Sequence, residues 1–338
     1  MNSPFCGLTL SQAEEIIRGK GYEKHHALKV VTNFYRRGIH EFSRMENIPK
    51  SLRELLDSCY SSGLSGPVKS EKSSDKSLKH LFLGDSGKDF ETVIIPDGKR
   101  MTVCVSSQSG CRMGCPFCLT GKSHFKGDLS SGEIINQVIS SQGPVKTDHV
   151  VFMGMGEPMD NLPEVLKACE ILTSGWGLSI SPANVTVSTV GIKPGVLRFI
   201  EESSCNLTLS LFSPFPDERA AVVPAERLYP AADIVEIMKG SPLKGKRRFS
   251  IAYVMIRDVN DTSRHLDGLI KLLKGSNIRV NLLPYHEVPD DSFTSSPSIL
   301  MEAFKNSLLS GGIPASIRKS RGVDISAACG LLAAGLRK

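Results

Sequence analysis

From about residue 90 onward, short apolar runs alternate with longer segments whose apolar residues recur at helical spacing. Six of the short runs are predicted as strands: 101–106, 149–154, 184–189, 206–211, 249–256 and 278–283. The segments predicted as helices include 131–141, 162–173, 233–240, 263–275 and 298–309. Strand–helix units in series favour a parallel sheet, either a partial (β/α) barrel or a doubly wound fold. We also expect a short strand at 315–320 and a terminal helix around 327–335.

The first part of the chain has a different pattern. Apolar residues at helical spacing over 27–38 and 51–60 predict helices, and Ser11 followed by Glu14 matches a capping box at the start of the first. We predict a small all-helical domain over residues 1–65.

A second boundary lies further along the chain. Residues 66–90 are predicted as a linker or hairpin region, because Ser, Gly and Lys are frequent between 61 and 80. Lysines alternate there with Glu71 and Asp75, which is typical of a solvated face. Residues 91–338 would form the α/β core.

Composition narrows the class of protein. The 338 residues are enough for one large and one small domain, and no apolar run is long enough to span a membrane. The N-terminus lacks the apolar core of a signal peptide, so we predict a cytoplasmic protein. The net charge of +6 is compatible with a polyanionic partner but does not identify one. Nine cysteines in such a protein favour metal or redox chemistry over a disulfide framework.

The only tight cysteine group is SGCRMGCPFC, at residues 109–118. It could hold three buried structural cysteines, or a zinc ion if His124 completed the ligand set, although structural zinc usually takes four ligands in paired motifs. An iron–sulfur cluster is the interpretation we favour. A [4Fe–4S] cluster normally binds four cysteines, so ligation by Cys111, Cys115 and Cys118 would leave one iron open to another ligand.

Polar motifs follow several of the predicted strands. GMGEP (154–158) contains glycines that allow close backbone approach and a glutamate that could accept from an ammonium group. A serine at a strand end more often bonds backbone than ligand, but the carboxyl ends of parallel strands share one edge of a sheet, so these motifs should converge with the cysteine loop. The candidate cofactor-binding residues are Gly156, Glu157, Ser188, Ser210, Leu211, Phe212 and His286.

The C-x3-C-x2-C spacing resembles that of the radical S-adenosylmethionine (SAM) enzymes. Together with CVSSQSGC, GMGEP, STVGI, SLFSP, VND, NLLP and DISAACGLL, it makes nearly the whole chain resemble the RlmN/Cfr family of RNA adenine methyltransferases. The resemblance implies a partial (β/α)6 radical SAM barrel with a small all-helical N-terminal domain. It also implies a [4Fe–4S] cluster on three cysteines and SAM bound at the open iron.

The resemblance further assigns catalytic residues. In that family, a C-terminal cysteine, here Cys329, takes a methyl group from one SAM. A 5′-deoxyadenosyl radical from a second SAM then removes a hydrogen atom from that methyl group. The methylene radical adds to an adenine carbon, and a second thiol, here Cys104, releases the product by forming a transient disulfide. Glu91 matches the proposed proton acceptor.

The implied substrate is adenosine 2503 of 23S rRNA, methylated at C2, with tRNA as a second substrate in some members. Methylation at C8, as in Cfr, or a diverged radical SAM enzyme with another substrate are the alternatives, and a zinc-binding RNA-associated protein is a third. A flavodoxin-like or other low-potential electron donor is implied, and no membrane. The helical domain would help to grip RNA, and the candidate phosphate contacts are Lys244, Lys246, Arg247, Arg248, Arg318, Lys319 and Arg321.

The chain departs from the family pattern near the predicted site. His286 stands where the family usually has Asn, and Phe212 where it usually has His. Ser326 and Leu331 replace the usual Asp and Gln around Cys329. The remaining cysteines match no motif and are interpreted as structural: Cys6, Cys59, Cys169 and Cys205.

Overall fold

One mixed sheet of ten strands dominates the computed structural model, which describes residues 2–84, 87–141, 146–288 and 292–333. The strands are β1 (Ser3–Pro4), β2 (Tyr60–Ser61), β3 (Lys69–Lys72), β4 (Leu78–Leu83), β5 (Asp89–Asp97), β6 (Arg100–Val105), β7 (Gln108–Ser109), β8 (Gly127–Asp128), β9 (His149–Phe152), β10 (Val185–Thr189), β11 (Asn206–Ser210), β12 (Phe249–Met255), β13 (Arg279–Pro284) and β14 (Ala315–Ile317). The large sheet runs in the order β14-β13-β12-β11-β10-β9-β6-β5-β4-β3.

Helices connect and cover these strands. They are α1 (Leu10–Gly19), α2 (His25–Tyr35), α3 (Lys50–Cys59), α4 (Leu119–Lys122), α5 (Ser131–Ser140), α6 (Leu162–Thr173), α7 (Lys193–Glu202), α8 (Pro216–Val222), α9 (Ala231–Gly240), α10 (Ser263–Leu273) and α11 (Ser298–Ser310). No helix within the described ranges is long and apolar enough to cross a bilayer.

The seven strands from β6 to β14 in the large sheet are parallel, and chain order equals spatial order. All six predicted strands are present, and the predicted strand at 315–320 forms β14, so the parallel α/β prediction is confirmed. A doubly wound sheet reverses its strand order at a switch point. This sheet does not reverse, and its edges β3 and β14 are not paired with each other, so the arrangement is that of a partial barrel.

The sheet continues beyond β6 through three antiparallel strands, β5, β4 and β3. Residues 69–83 are thus part of the main sheet, where β3 and β4 form a hairpin. The prediction of a solvated face is wrong at Lys79, whose side chain is 7% exposed. Its ammonium group can be buried because carboxylates lie beside it.

The N-terminal helices share a continuous apolar core with the sheet and its helices. The first helix begins at Leu10, and its capping box joins Thr9 and Gln12, so the predicted box at Ser11 and Glu14 is wrong by two residues. Farther along, the Tyr35 hydroxyl accepts from the backbone N–H of Gly7, at 3.0 Å, and this fixes the entry of the chain to α1.

The predicted terminal helix is wrong over 327–333, where the chain forms only turns; residues 334–335 of that prediction lie outside the described residues. The reason is competition for backbone carbonyls. Gly330 O accepts from the backbone N–H of Leu119 at 2.8 Å, and Leu332 O accepts from the Thr120 hydroxyl at 2.7 Å. These bonds hold the segment against α4 in a path that a helix could not follow.

Candidate active site

A cavity of about 550 Å³ lies at the carboxyl edge of the parallel strands. All five cysteines with predicted roles line it, namely Cys104, Cys111, Cys115, Cys118 and Cys329. Six of the seven candidate cofactor-binding residues line it as well: Gly156, Glu157, Ser188, Ser210, Phe212 and His286. The convergence follows from the parallel sheet, because each strand delivers its C-terminal residue to the same edge.

Two predicted site residues do not line the cavity. Leu211 is fully buried, and its carbonyl oxygen accepts from the Nε of Arg219 at 2.8 Å. Glu91 is also buried, and its Oε2 accepts from the backbone N–H of Ala333 at 2.9 Å. Glu91 therefore contacts the C-terminal segment, and its role as proton acceptor stays a prediction.

The cysteine loop depends on a glycine at its start. Gly110 has φ +78°, and a Cβ atom there would lie 2.4 Å from the carbonyl oxygen of His124. Glycine is the residue that avoids both the left-handed strain and this overlap. The loop then passes Cys111 and Cys115, and the backbone N–H of Cys118 bonds the Cys115 carbonyl at 3.2 Å.

The thiols of this loop lie in a poorly solvated position. Burial raises the pKa of Cys111 to about 12 and also raises that of Cys115, with further increases from the neighbouring thiolates. Such thiols ionise readily only when positive charge replaces the lost water, which iron in a cluster provides.

The three thiols of the loop line the same cavity. In the described part of the chain, no three His, Cys, Asp or Glu side chains converge as ligands of a single metal ion. A four-iron cluster binds each thiolate through a different iron, so its ligands stand farther apart than those of one ion. His124 is exposed on the surface and does not join the three cysteines. The donor set, three thiols at one cavity, is of the kind that an iron–sulfur cluster takes.

Gln108, which the sequence analysis missed as a functional residue, joins the cysteine loop to the GMGEP turn. Its Oε1 accepts from the backbone N–H of Glu157 at 2.8 Å, and its Nε2 donates to Asp128 and Asp160, also at 2.8 Å. Gly156 has φ +99°, and a Cβ atom there would lie 2.5 Å from Gln108. The turn and the loop can therefore meet only because residue 156 is glycine.

Glu157 is a buried carboxylate at the cavity wall. It accepts from the Thr189 hydroxyl at 2.5 Å and from the backbone N–H groups of Val190 and Met159 at 2.9 and 3.0 Å. Burial raises the pKa of Glu157 to about 7, although these three donors act in the opposite direction. A nearby cationic ligand would stabilise the charged form of this buried carboxylate, because it replaces the stabilisation that water gives an exposed one.

Arg219 organises the strand ends and was also missed, since its only signal is a charge inside an amphipathic helix. The guanidinium is fully buried and donates to the carbonyl oxygens of Val190 at 2.6 Å and Ser210 at 3.0 Å, besides that of Leu211. It also pairs with the buried carboxylate of Glu226. One side chain thus fixes the loops after β10 and β11, and Glu226 balances its charge.

Phe212 has φ +67°, a strained conformation for an aromatic residue. Asn260 supports it by donating to the Phe212 carbonyl at 2.8 Å. The Phe212 ring stacks on Phe117 with centroids 5.3 Å apart, so two aromatic rings cover the space beside the cysteine loop. His286 also lines the cavity, and burial lowers its pKa.

Cys104 and Cys329 are far apart in the chain, and both line the cavity. Cys104 lies in β6, and burial raises its pKa, with a further increase from the Cys329 thiolate. Cys329 is exposed at the cavity mouth. The protein atoms around it still displace water from the thiol and raise its pKa, while the charge of Arg318 acts in the opposite direction. All nine cysteines are free, so the structure contains no Cys104–Cys329 disulfide.

The basic residues separate into two groups. Arg318, Lys319 and Arg321 line the cavity, and the solvent-exposed Arg318 and Lys319 mark its mouth. The group at 244–248 precedes β12 and so lies at the amino ends of the parallel strands, away from the cavity. The prediction that Arg247 contacts phosphate is wrong. Its buried guanidinium donates to the carbonyls of Cys205 and Ile200, so it is not available to RNA.

Comparison with known proteins identifies the class. A sequence profile described as the radical SAM superfamily matches residues 105–272. A protein of Bacteroides fragilis named as a probable dual-specificity RNA methyltransferase RlmN is 40% identical over 329 residues, covering 97% of this chain and 96% of the relative. The dual-specificity RNA methyltransferase RlmN of Geobacter sulfurreducens is 37% identical over 326 residues, covering 96% and 91%. The chain belongs to the RlmN family of radical SAM RNA methyltransferases.

A solved structure extends the RlmN assignment to the fold. A radical SAM methyltransferase from Sphaerobacter thermophilus superposes with a TM-score of 0.89 at 33% identity, covering 98% of this chain and 99% of that one. The resemblance drawn from the motifs is confirmed, as is the α/β radical SAM fold. Membership of the RlmN family implies a [4Fe–4S] cluster and the use of SAM.

Proposed function

We propose that this enzyme methylates C2 of adenosine 2503 in 23S rRNA through a methyl group carried on Cys329. The observation that carries the proposal is the cavity itself, because Cys329, Cys104 and the three-cysteine loop all line it. The relatives named as dual-specificity RNA methyltransferases RlmN support an RNA substrate. The family resemblance implies C2 as the methylated position and tRNA as a second substrate in some members.

The cofactors would occupy the inner part of the cavity. Cys111, Cys115 and Cys118 would hold the cluster, and the ammonium group of SAM would lie near Glu157, whose burial favours a cationic partner. Serines 188 and 210, with Oγ atoms 3.2 Å apart, would offer hydroxyl groups to the same ligand, as would the imidazole of His286. When bound, the cluster and SAM supply the one-electron chemistry that activates a poorly acidic carbon–hydrogen bond.

The chain's own thiols perform the transfer. Cys329 would accept a methyl group from SAM as a thiolate, with the SAM thioether as the leaving group. That methyl group would then lose one hydrogen atom to the radical that a second SAM supplies, and its carbon would bond the adenine carbon. The proton of the adenine carbon would pass to Glu91, and the one excess electron would return to the cluster. Cys104 then attacks the Cys329 sulfur, the carbon–sulfur bond breaks, and the carbon keeps the electron pair and takes up a proton. The two thiols are oxidised to a disulfide, and a low-potential donor of the flavodoxin class, or another reductant, restores them.

The RNA would approach from the cavity mouth. Arg318, Lys319 and Arg321 lie there and would contact phosphates, while the target adenosine is turned out of its stack into the cavity. The helical domain over 1–65 would provide further RNA contacts. A cytoplasmic location follows from such a substrate.

The decisive experiment is mass spectrometry of 23S rRNA from cells with and without the gene. We expect a C2-methylated adenosine 2503 that disappears with the gene. A product methylated at C8 would place the enzyme on the Cfr side of the family, and unchanged RNA would overturn the proposal.

In a C104A variant, Cys329 cannot be released, so we expect a covalent protein–RNA adduct on a denaturing gel.

A further inference from the structure

Lys79 is the one lysine that is nearly buried in the described part of the chain. Its Nζ lies 2.9 Å from Oε2 of Glu71 and 3.3 Å from Oε1 of Glu91. Burying an ammonium group is costly unless carboxylates compensate it. Lys79 therefore links the edge hairpin of the sheet to the glutamate that the sequence predicts as proton acceptor.

The other oxygen of that glutamate is also engaged. Oε2 of Glu91 accepts from the backbone N–H of Ala333 at 2.9 Å, four residues after Cys329. Because Lys79 holds Oε1, the carboxylate has a fixed orientation and directs Oε2 at the C-terminal segment. A hydrogen bond to a charged carboxylate is stronger than one between neutral groups.

The C-terminal segment, residues 322–333, has little regular structure of its own. Its one helical turn in the described residues is the 3₁₀ turn Val323–Ile325. At its start, the backbone N–H of Gly322 donates to Asp75 at 2.9 Å, and at its end the bonds to Glu91 and Thr120 hold it. Cys329 lies between these two sets of anchors, next to Gly330, whose carbonyl accepts from the backbone N–H of Leu119.

We propose that Glu91 is a latch that holds the C-terminal segment closed over the cavity, and that Lys79 is the residue that positions this latch. The inference goes beyond methyl transfer, because it concerns where Cys329 sits and holds whichever reaction that thiol serves.

Hydrogen–deuterium exchange of the full-length protein, purified without oxygen and without SAM or RNA, tests the latch. In E91A and in K79M, we expect amide exchange in a peptide covering 327–333 to accelerate at least about tenfold, the effect of losing one charge-assisted hydrogen bond on a local opening. The isosteric E91Q should show a smaller increase, because its amide oxygen can still accept from Ala333.

Two matched variants control for the loss of a lysine and for general loosening. Lys69 pairs with the same Glu71 at 2.8 Å but on the exposed side, so K69M should exchange like the parent, and K79R should restore slow exchange. The strand peptide Phe249–Met255 reports on the core. Unchanged exchange at 327–333 in both K79M and E91A would overturn the latch, as would an equal acceleration in the core strand. A failed RNA methylation assay would leave these results intact.

Discussion

The two segments that bring functional cysteines into the cavity are held in different ways. The cysteine loop at 111–118 begins at a glycine turn that lies against His124, a near neighbour in the chain, and Gln108 joins it to the GMGEP turn. The C-terminal segment at 322–333 is fixed by residues more than 200 positions away, since Gly322 bonds Asp75 across 247 residues and Ala333 bonds Glu91 across 242.

This difference indicates that the cysteine loop is the rigid part of the site and the C-terminal segment the mobile part. A cluster needs ligands that stay in place, and a loop closed by local contacts provides them. A thiol that receives a group, delivers it and then meets a second thiol must move, and a segment without regular structure opens at low cost. The anchoring of each segment therefore matches the task proposed for its cysteines.

The largest effect should come from removing one thiol of each segment in parallel. C115A should lose bound iron and all methyl transfer, because two remaining thiolates do not hold the cluster. C329A should keep its iron and lose only methyl transfer. Iron content and the visible spectrum of anaerobic protein decide the matter, with the core variant C169A as control. Full iron in C115A would contradict the cluster assignment.

A smaller effect should follow from straining the cysteine loop at its glycine. G110A places a Cβ atom in a left-handed position against the His124 carbonyl, which should destabilise the fold by about 1–3 kcal/mol. We expect a lower thermal midpoint and reduced iron occupancy. G98A provides a control, since Gly98 also has a positive φ but meets no neighbour, so it carries the strain without the overlap. Equal iron loss in both variants would mean that the His124 contact does not matter.

A moderate effect should appear in the pH dependence of SAM binding, through Glu157 at the cavity wall. Burial raises the pKa of Glu157 to about 7, so its carboxyl group is mostly neutral below that pH and mostly charged above it. The neutral form stabilises the fold, and this contribution to the folding free energy is lost as pH rises through the raised pKa. Affinity for SAM should therefore fall as pH is lowered from 8 to 6, approaching about tenfold per unit. Calorimetry on non-reduced protein measures this.

The slope should vanish in E157Q, which cannot ionise, and persist in H286N, because burial lowers the pKa of His286 and its titration lies at lower pH. A slope that survives in E157Q would show that another group governs the pH dependence.

The smallest effect should come from one outer anchor of the C-terminal segment. Asp324 accepts from the Ser73 hydroxyl at 2.6 Å and from the backbone N–H of Ser74 at 2.9 Å, at an exposed position. D324A should speed proteolytic cleavage within 318–333 and leave iron content unchanged. D258A, an exposed aspartate in another loop, serves as control. If D324A and D258A are cleaved at equal rates, the anchor contributes nothing.

Sequence periodicity was sufficient for most of the sheet. The six parallel strands were predicted because buried strands appear as apolar runs and helices as 3.6-residue patterns, both of which are local signals. The three-cysteine loop was predicted for the same reason, since its ligands and glycines occupy ten consecutive residues. Convergence of the strand-end motifs also followed, because a parallel sheet brings those ends to one edge.

The sequence thus determined the strand series, the cysteine motif and the family. Only the tertiary structure decided which polar side chains are buried and what pairs with them: Lys79 between two glutamates, Arg219 against three carbonyls, and Glu91 on the backbone of Ala333. It also replaced the predicted terminal helix with an anchored segment. Burial of a charge depends on partners distant in the sequence, and no local pattern records those partners.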